Sequence, residues 1–160
     1  MIIVEEMENK EIHEVLDKVK FGHLGCAHDN IPYVVPINYV YLQPYIYIYT
    51  TEGKKADIIR SNPAVCLQVE EIKDRKHWRS VIFTGTALAM TEGSEREKAV
   101  AEIVKTNPTL TPAVSVQWMD DWVRENIEVI YRIDPVTITG RKAVAADPRL
   151  PSNHQRDRPR

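Results

Sequence analysis

Two threonine hydroxyls and two ammonium groups crowd into the segment Thr50-Thr51-Glu52-Gly53-Lys54-Lys55. The run before it, Tyr45–Tyr49, alternates Ile46 and Ile48 with tyrosines, which is strand periodicity with aromatic and β-branched content. The run after it turns Ala56, Ile58 and Ile59 to one side of a short helix. That helix stops before Pro63, because the residue preceding a proline disfavours α geometry. Thr51 is a candidate N-cap, yet Lys54 holds the position three residues later where a capping box wants Glu or Gln. Exposed lysines in a first helical turn oppose the helix dipole by about 0.3–1 kcal/mol each. An anion seated there reverses the sign, since backbone N–H groups, hydroxyls and ammonium groups then converge on one negative ligand, most simply a phosphate. A solvated turn whose lysines touch nothing is the competing reading, and these residues alone leave both open.

No other set of side chains makes a self-sufficient catalyst. The odd spacing of His23 and His28 puts them on opposite faces of one strand, a poor arrangement for a metal. Cys26 and His28 share a face, but no second pair at ligand spacing accompanies them, so no metal is expected. The serines lie in no G-x-S-x-G elbow, and a Cys–His nucleophile has no positive sign. Asp120-Asp121 precede Trp122 as helix-start acids and not as an acid–base pair. G-x-G-x-x-G and Walker A motifs are absent, which argues against Rossmann and P-loop nucleotide sites. If the chain is an enzyme, a cofactor carries its chemistry.

The elements that must position the lysine turn follow from periodicity. Glu8–Lys20 is a helix whose stripe Ile12, Val15, Leu16 and Val19 has to pack on something, and Gly22 ends it. Gly22–His28 and Ile31–Leu42 are strands about an Asp29-Asn30 turn. Pro32 and Pro36 each remove a donor from the second strand, which makes it an edge or a bulged strand. Such a segment either guards against aggregation or offers backbone atoms to a flat ligand. Ala64–Ile72 and His77–Met90 are further strands, joined by the charged link Lys73–Lys76. Gly93–Thr106 is a helix with Ala99, Val100, Ile103 and Val104 inward, and Glu95, Arg96, Glu97 and Lys98 toward water. Thr109–Trp122 is irregular, and Glu128–Thr139 is a last strand interrupted at Asp134-Pro135. Six strands and two main helices joined by short turns predict an antiparallel α+β or mostly β fold, a small barrel with flanking helices. One domain over 1–144 and a flexible tail over 145–160, rich in proline and charge, are expected.

Bulk properties narrow the partners. With 160 residues, 43% hydrophobic and 28% charged, the chain suits a single globular core. A net charge of −2 gives no basic stripe for nucleic acid. No apolar run approaches bilayer length, and the acidic turn within Met1–Lys10 is unlike a signal peptide, so no membrane role is expected. Cys26 and Cys66, far apart within apolar alternation, are expected to be reduced core residues of a cytoplasmic protein.

The succession strand, Tyr49-Thr50-Thr51-Glu52-Gly53-Lys54-Lys55, helix, Asn62-Pro63-Ala64-Val65, strand resembles the centre of the pyridoxamine 5′-phosphate oxidase-like flavoproteins, the FMN-binding split barrels. Gly25 and Pro32-Tyr33-Val34-Val35-Pro36-Ile37-Asn38 precede it in the family order, and Trp78-Arg79-Ser80-Val81 with Gly85 follows. Ile138-Thr139-Gly140-Arg141-Lys142 resembles the branch related to nitroimidazole-resistance (Nim) proteins, and the similarity spans roughly Glu8–Lys142. The resemblance implies a six-stranded antiparallel split barrel that forms a homodimer with FMN at the subunit interface. It implies that Thr50, Thr51, Lys54 and Lys55 hold the phosphate and that Val34, Val35, Pro36, Ile37 and Asn38 follow the ring through backbone groups. It also implies that Arg79, Ser80 and Val81 reach the cofactor, and that Trp118 approaches the ring from the partner.

Two departures qualify the implied activity. The segment before Glu52-Gly53 is one residue shorter than the Nim pattern and lacks its histidine, against nitroimidazole reduction. The arginine pattern of true pyridoxamine phosphate oxidases around Val34–Asn38 and near the C-terminus is missing too, against vitamin B6 oxidation. Three functions therefore stand: an FMN-dependent oxidoreductase for a small aromatic or nitro substrate; a non-catalytic flavin, deazaflavin or haem binder; or a cofactor-free structural dimer. The first is the expectation carried forward.

Overall fold

The computed structural model describes residues 2–106, 109–111, 114–115 and 129–145. In chain order the elements are β1 (Ile2–Glu6), α1 (Asn9–Val19), β2 (Phe21–His28), β3 (Ile31–Leu42), β4 (Tyr45–Thr50), α2 (Lys54–Ser61), β5 (Ala64–Asp74), β6 (His77–Met90), α3 (Ser94–Thr106), β7 (Thr109–Thr111), β8 (Val114–Ser115) and β9 (Val129–Ala145). One antiparallel sheet runs β1-β9-β4-β3-β2-β5-β6, and a further pairing of β6 with β9 closes six of its strands into a ring. Those six are the strands expected from periodicity. β1 is an addition, paired to the far end of β9 from Ile2↔Ala145 to Glu6↔Arg141.

Alternation along the ring strands sends one face of each into a common core. Leu24, Ile37, Tyr39, Ile46, Ile48, Leu67, Val69, Val81, Phe83 and Ile133 meet there, with Ile12, Val15 and Leu16 of α1 across them. The Tyr39 hydroxyl donates to the Leu16 carbonyl at 2.8 Å, and Lys142 meets Glu11 at 2.7 Å, so α1 is fastened to β3 and β9. α1 keeps the expected bounds between its caps Glu8 and Lys20, but Gly22 is not what ends it. Lys20, left-handed at φ 61°, closes it, while Gly22 lies inside β2, where a Cβ would come within 2.6 Å of the Gln68 carbonyl. α3 covers the other face of β3 and β4 through Val40, Tyr47, Ala99 and Ile103. Two of its expected orientations change: Val104 is 55% exposed, and Glu95 accepts a 2.6 Å hydrogen bond from Tyr47 instead of facing only water.

The prolines of β3 find a specific explanation. β2 pairs with residues 31–38 of β3, whereas β4 pairs only with residues 39–42. β3 is thus interior by strand order but an edge over its first half. Tyr39 N–H donates toward β2 at Lys20, so the odd positions face β2 and the even ones face away. Pro32 and Pro36 are even, and each loses a donor that β2 does not use. The edge reading holds over 31–38, and the pairing with β2 carries no bulge.

β9 is longer than expected, continuous to Ala145, with the irregularity at Asp134-Pro135 taken up as a register shift against Thr84/Gly85. A Cβ on Gly85 would sit 2.3 Å from the Asp134 carbonyl oxygen. Asn107-Pro108, Trp118, Trp122 and the tail beyond Ala145 lie outside the described residues. We predict that Gly85→Ala lowers stability by about 2–4 kcal/mol, because β9 must withdraw from β6 at the shift. Thermal unfolding checks this, and an unchanged melting temperature would refute the close-approach argument.

Candidate functional site

The lysine turn forms where β4 runs out. Thr50 is buried at 1% exposure, and among the described residues its hydroxyl donates to the neighbouring Thr51 carbonyl at 3.4 Å. Thr51 does not cap the helix. The N-cap is Gly53 at φ 148°, a conformation that favours glycine, and no side chain bonds to the cap. The first helical bond is Asp57 N–H to the Gly53 carbonyl at 3.0 Å, so the Lys54, Lys55 and Ala56 amides precede the ladder and have no carbonyl of their own helix to meet. The helix stops at Ser61, and Asn62 before Pro63 is extended, as the proline rule requires.

The two lysines differ. Lys54 Nζ lies 4.8 Å from the centroid of the Tyr33 ring, a cation–π contact that ties the turn to β3 beside Val34. Lys55 is half-buried, and desolvation pushes its pKa below the usual lysine value, opposed by its neighbour Cys26. Among the described residues neither lysine forms an ion pair. The carboxylates of the turn, Glu52 and Asp57, are instead both bound by Arg60. The result is a helix start without a side-chain cap, bearing one ring-stacked ammonium and one partly desolvated ammonium, with no ion pair to either among the described residues.

Along β3 the candidate residues divide by parity. Val35 and Ile37 turn toward the core, Ile37 fully, so only their backbone atoms are available to a ligand. Val34 is 63% exposed, and it shares the outer face with Pro36 and Asn38. The third candidate group divides the same way. Val81 is wholly buried in the core. Arg79 is engaged by Glu71, with Nε at 2.9 Å, and by Glu14. Lys18 and Arg79 together hold the Glu71 carboxyl down to about 2. Ser80 alone turns its side chain outward, accepting from Gln68 Nε2 at 3.3 Å. It opens onto a cavity of about 460 Å³ lined also by Glu70, Ile72, Trp78 and Arg141.

The structure brings Thr50, Thr51, Lys54, Lys55 and the Val34 end of β3 into one region, but it does not bring Ser80 there. β2 and β5 intervene between β3 and β6, which at about 4.8 Å per strand separates the two groups by some 14 Å across the sheet, and the registers set Val34 level with Thr84, four residues along β6 from Ser80. Tyr33, Arg60 and the cavity residues Glu70, Trp78 and Arg141 were not anticipated. Arg60 follows Asp57 by one helical turn, a pairing visible in sequence, whereas its bond to Glu52 needs the folded turn. Cys66 also departs from expectation. Cys26 is in the core, but Cys66 is half-buried on the opposite face, and both are free thiols.

A closed antiparallel ring with a lysine-bearing helix start beside an open strand edge defines the split-barrel class that the motifs resemble. Residues 8–142 match the family model described as pyridoxamine 5′-phosphate oxidase, and the chain belongs to that family. An uncharacterized protein of Rhizobium meliloti (strain 1021) is 34% identical over 99 residues, covering 61% of this chain and 66% of that protein. The chain therefore spans just under two thirds of that relative's length. Among solved structures, a FAD-binding protein from Mesorhizobium loti matches with a TM-score of 0.74 and 28% identity, covering 91% of this chain and 100% of that one. A structure described as a 5-nitroimidazole antibiotic resistance protein from Bacteroides thetaiotaomicron shares the fold with a TM-score of 0.68, at 17% identity over 89% of each chain.

Lys55 yields a prediction about the ligand-free protein. Its folded pKa lies below its unfolded one, so its charged form opposes folding, and stability is regained as pH rises through the lowered value. Lys55→Met should raise stability near neutral pH by about 1 kcal/mol, with the advantage over wild type shrinking at alkaline pH. Denaturant unfolding across pH checks this. A destabilised variant would mean that Lys55 has a partner within the fold.

Proposed function

We propose that this protein is an FMN-binding flavoprotein, a homodimeric oxidoreductase acting on a small aromatic or nitro-bearing substrate. The observation that carries the reading is the start of α2, with no side-chain cap and with two lysines that no described carboxylate neutralises. A phosphate there would accept from the first-turn amides, relieve the desolvated Lys55 and oppose the charge of Lys54. Thr50 and Thr51 would complete the phosphate end of the site. The ring would follow the Val34–Asn38 edge, where among the described residues no strand pairs on the side that Pro32, Val34 and Pro36 face.

The distance between this edge and Ser80 supports a homodimer. A second copy would carry its own Ser80, with the backbone of Arg79 and Val81, to a ring lying on the first copy's β3, and Trp118 would come from the same partner. Phe21, Val34, Ile72 and Ile82 are apolar, exposed and on strands of the ring, which suits a covered surface better than a wetted one. The bound flavin supplies the redox chemistry, and the protein's part is to hold the phosphate, align the ring edge and exclude water. The arginines expected for pyridoxamine phosphate are absent, so vitamin B6 is not the proposed substrate. No helix among the described residues is long and apolar enough to cross a membrane, and two free thiols suit a cytoplasmic protein.

Replacing Lys54 and Lys55 together by Ala should weaken FMN binding by about a hundredfold or more, on the scale of charge-assisted hydrogen bonds. Riboflavin, which lacks the phosphate, should bind both proteins equally. Titration of flavin fluorescence decides it, and an unchanged FMN affinity in the double variant would remove the phosphate assignment.

A further inference from the structure

The turn whose lysines form no ion pair among the described residues contains two carboxylates, and one residue accounts for both. Arg60 Nη1 lies 2.5 Å from Asp57 Oδ1, and Arg60 Nη2 is hydrogen-bonded to Glu52 Oε2. Arg60 sits near the far end of α2, six residues beyond Lys54, which is about 9 Å along the helix. Glu52 is the residue immediately before the Gly53 cap. Its carboxylate is therefore committed to Arg60, and it makes no cap bond to the start of the helix. Asp57, in the first turn, is held from the same side.

We propose that Arg60 is a positioning residue that keeps Glu52 from occupying the anion site as an internal competitor. This rests on the phosphate reading of the lysine turn. Over residues 50–60 the acidic side chains are Glu52 and Asp57, and the basic ones are Lys54, Lys55 and Arg60, so the charge is −2 against +3. Arg60 supplies the entire net positive charge. Without it the turn is neutral, and Glu52 is free to bond the first-turn amides and the lysines itself. Arg60 and its partners are all more than half exposed, so the clasp adds little to global stability. Its effect falls on ligand affinity, and the released Glu52 acts on anionic ligands alone.

The test is a titration of FMN and riboflavin into wild type, Arg60→Gln, Glu52→Gln and the Arg60→Gln/Glu52→Gln double variant, with thermal melting of each. Arg60→Gln should weaken FMN about tenfold, the scale of one competing carboxylate at a partly screened site, and leave riboflavin and the melting temperature unchanged. Glu52→Gln alone should bind FMN at least as tightly as wild type. The double variant should recover most of the lost affinity, because the competitor is gone even though the arginine is too. If the double variant stays as weak as Arg60→Gln, the competition is overturned and Arg60 acts on the ligand directly. Equal FMN affinity in wild type and Arg60→Gln overturns it as well. A wild-type protein that binds no FMN overturns the phosphate reading and this inference with it.

Discussion

The ladder between β6 and β9 is the constraint on which the rest depends. It runs from Trp78↔Ala143 to Met90↔Ile130 and converts an open sheet into a ring. Closure fixes which face of every strand is inside, because a slip of one residue would turn each side chain to the other face. Val81, Phe83 and Ile133 are fully buried as a consequence, and burying side chains of this kind is worth about 1.5–3 kcal/mol each. The ladder survives Pro135 only through the shift opposite Gly85, where β9 backbone lies too close to admit a Cβ. One glycine thus lets a proline-broken strand span the whole sheet.

Closure also determines what is left unsatisfied. β4 hands over to α2 at the rim, and β9 takes up β4 only from Ile46 to Thr50. Among the described residues the first half of β3 has a strand partner on one side alone, and α2 begins beside that edge with its lysines in the first turn. Lys54 on Tyr33 shows the two features meeting. A protein selected for stability alone would place an acid at such a helix start. This one holds its two nearby acids on Arg60 and leaves a partly desolvated lysine with no ion pair among the described residues. The local stability forgone there is the kind that an anionic ligand restores on binding.

The six ring strands were legible because alternation and turn residues report burial directly. β1 was not, since all five of its residues are exposed and its pairing with β9 is a matter of backbone bonds. The helix over Glu8–Lys20 was legible from its apolar stripe, but its terminator was not: Lys20 itself adopts the left-handed conformation, and Gly22 serves the approach of β2 to β5. At the site, the charge pattern of the lysine turn was readable because it is local to the helix start. The position of Ser80 relative to Val34 was not, because it follows from the registers of three successive ladders. The Thr51 cap failed for a related reason: the chain turns at Gly53, and the helix begins beyond the reach of the threonine that propensity favoured.

The start of α2 is proposed to seat a phosphate, with a flavin as the remainder of the ligand. Equilibrium titration of the purified wild-type protein with FMN, riboflavin and inorganic phosphate, each alone, tests it most directly. Saturation at one FMN per chain, far weaker riboflavin binding, and displacement of FMN by phosphate only at high concentration are expected. Equal affinity for FMN and riboflavin, or no binding of either, would contradict it.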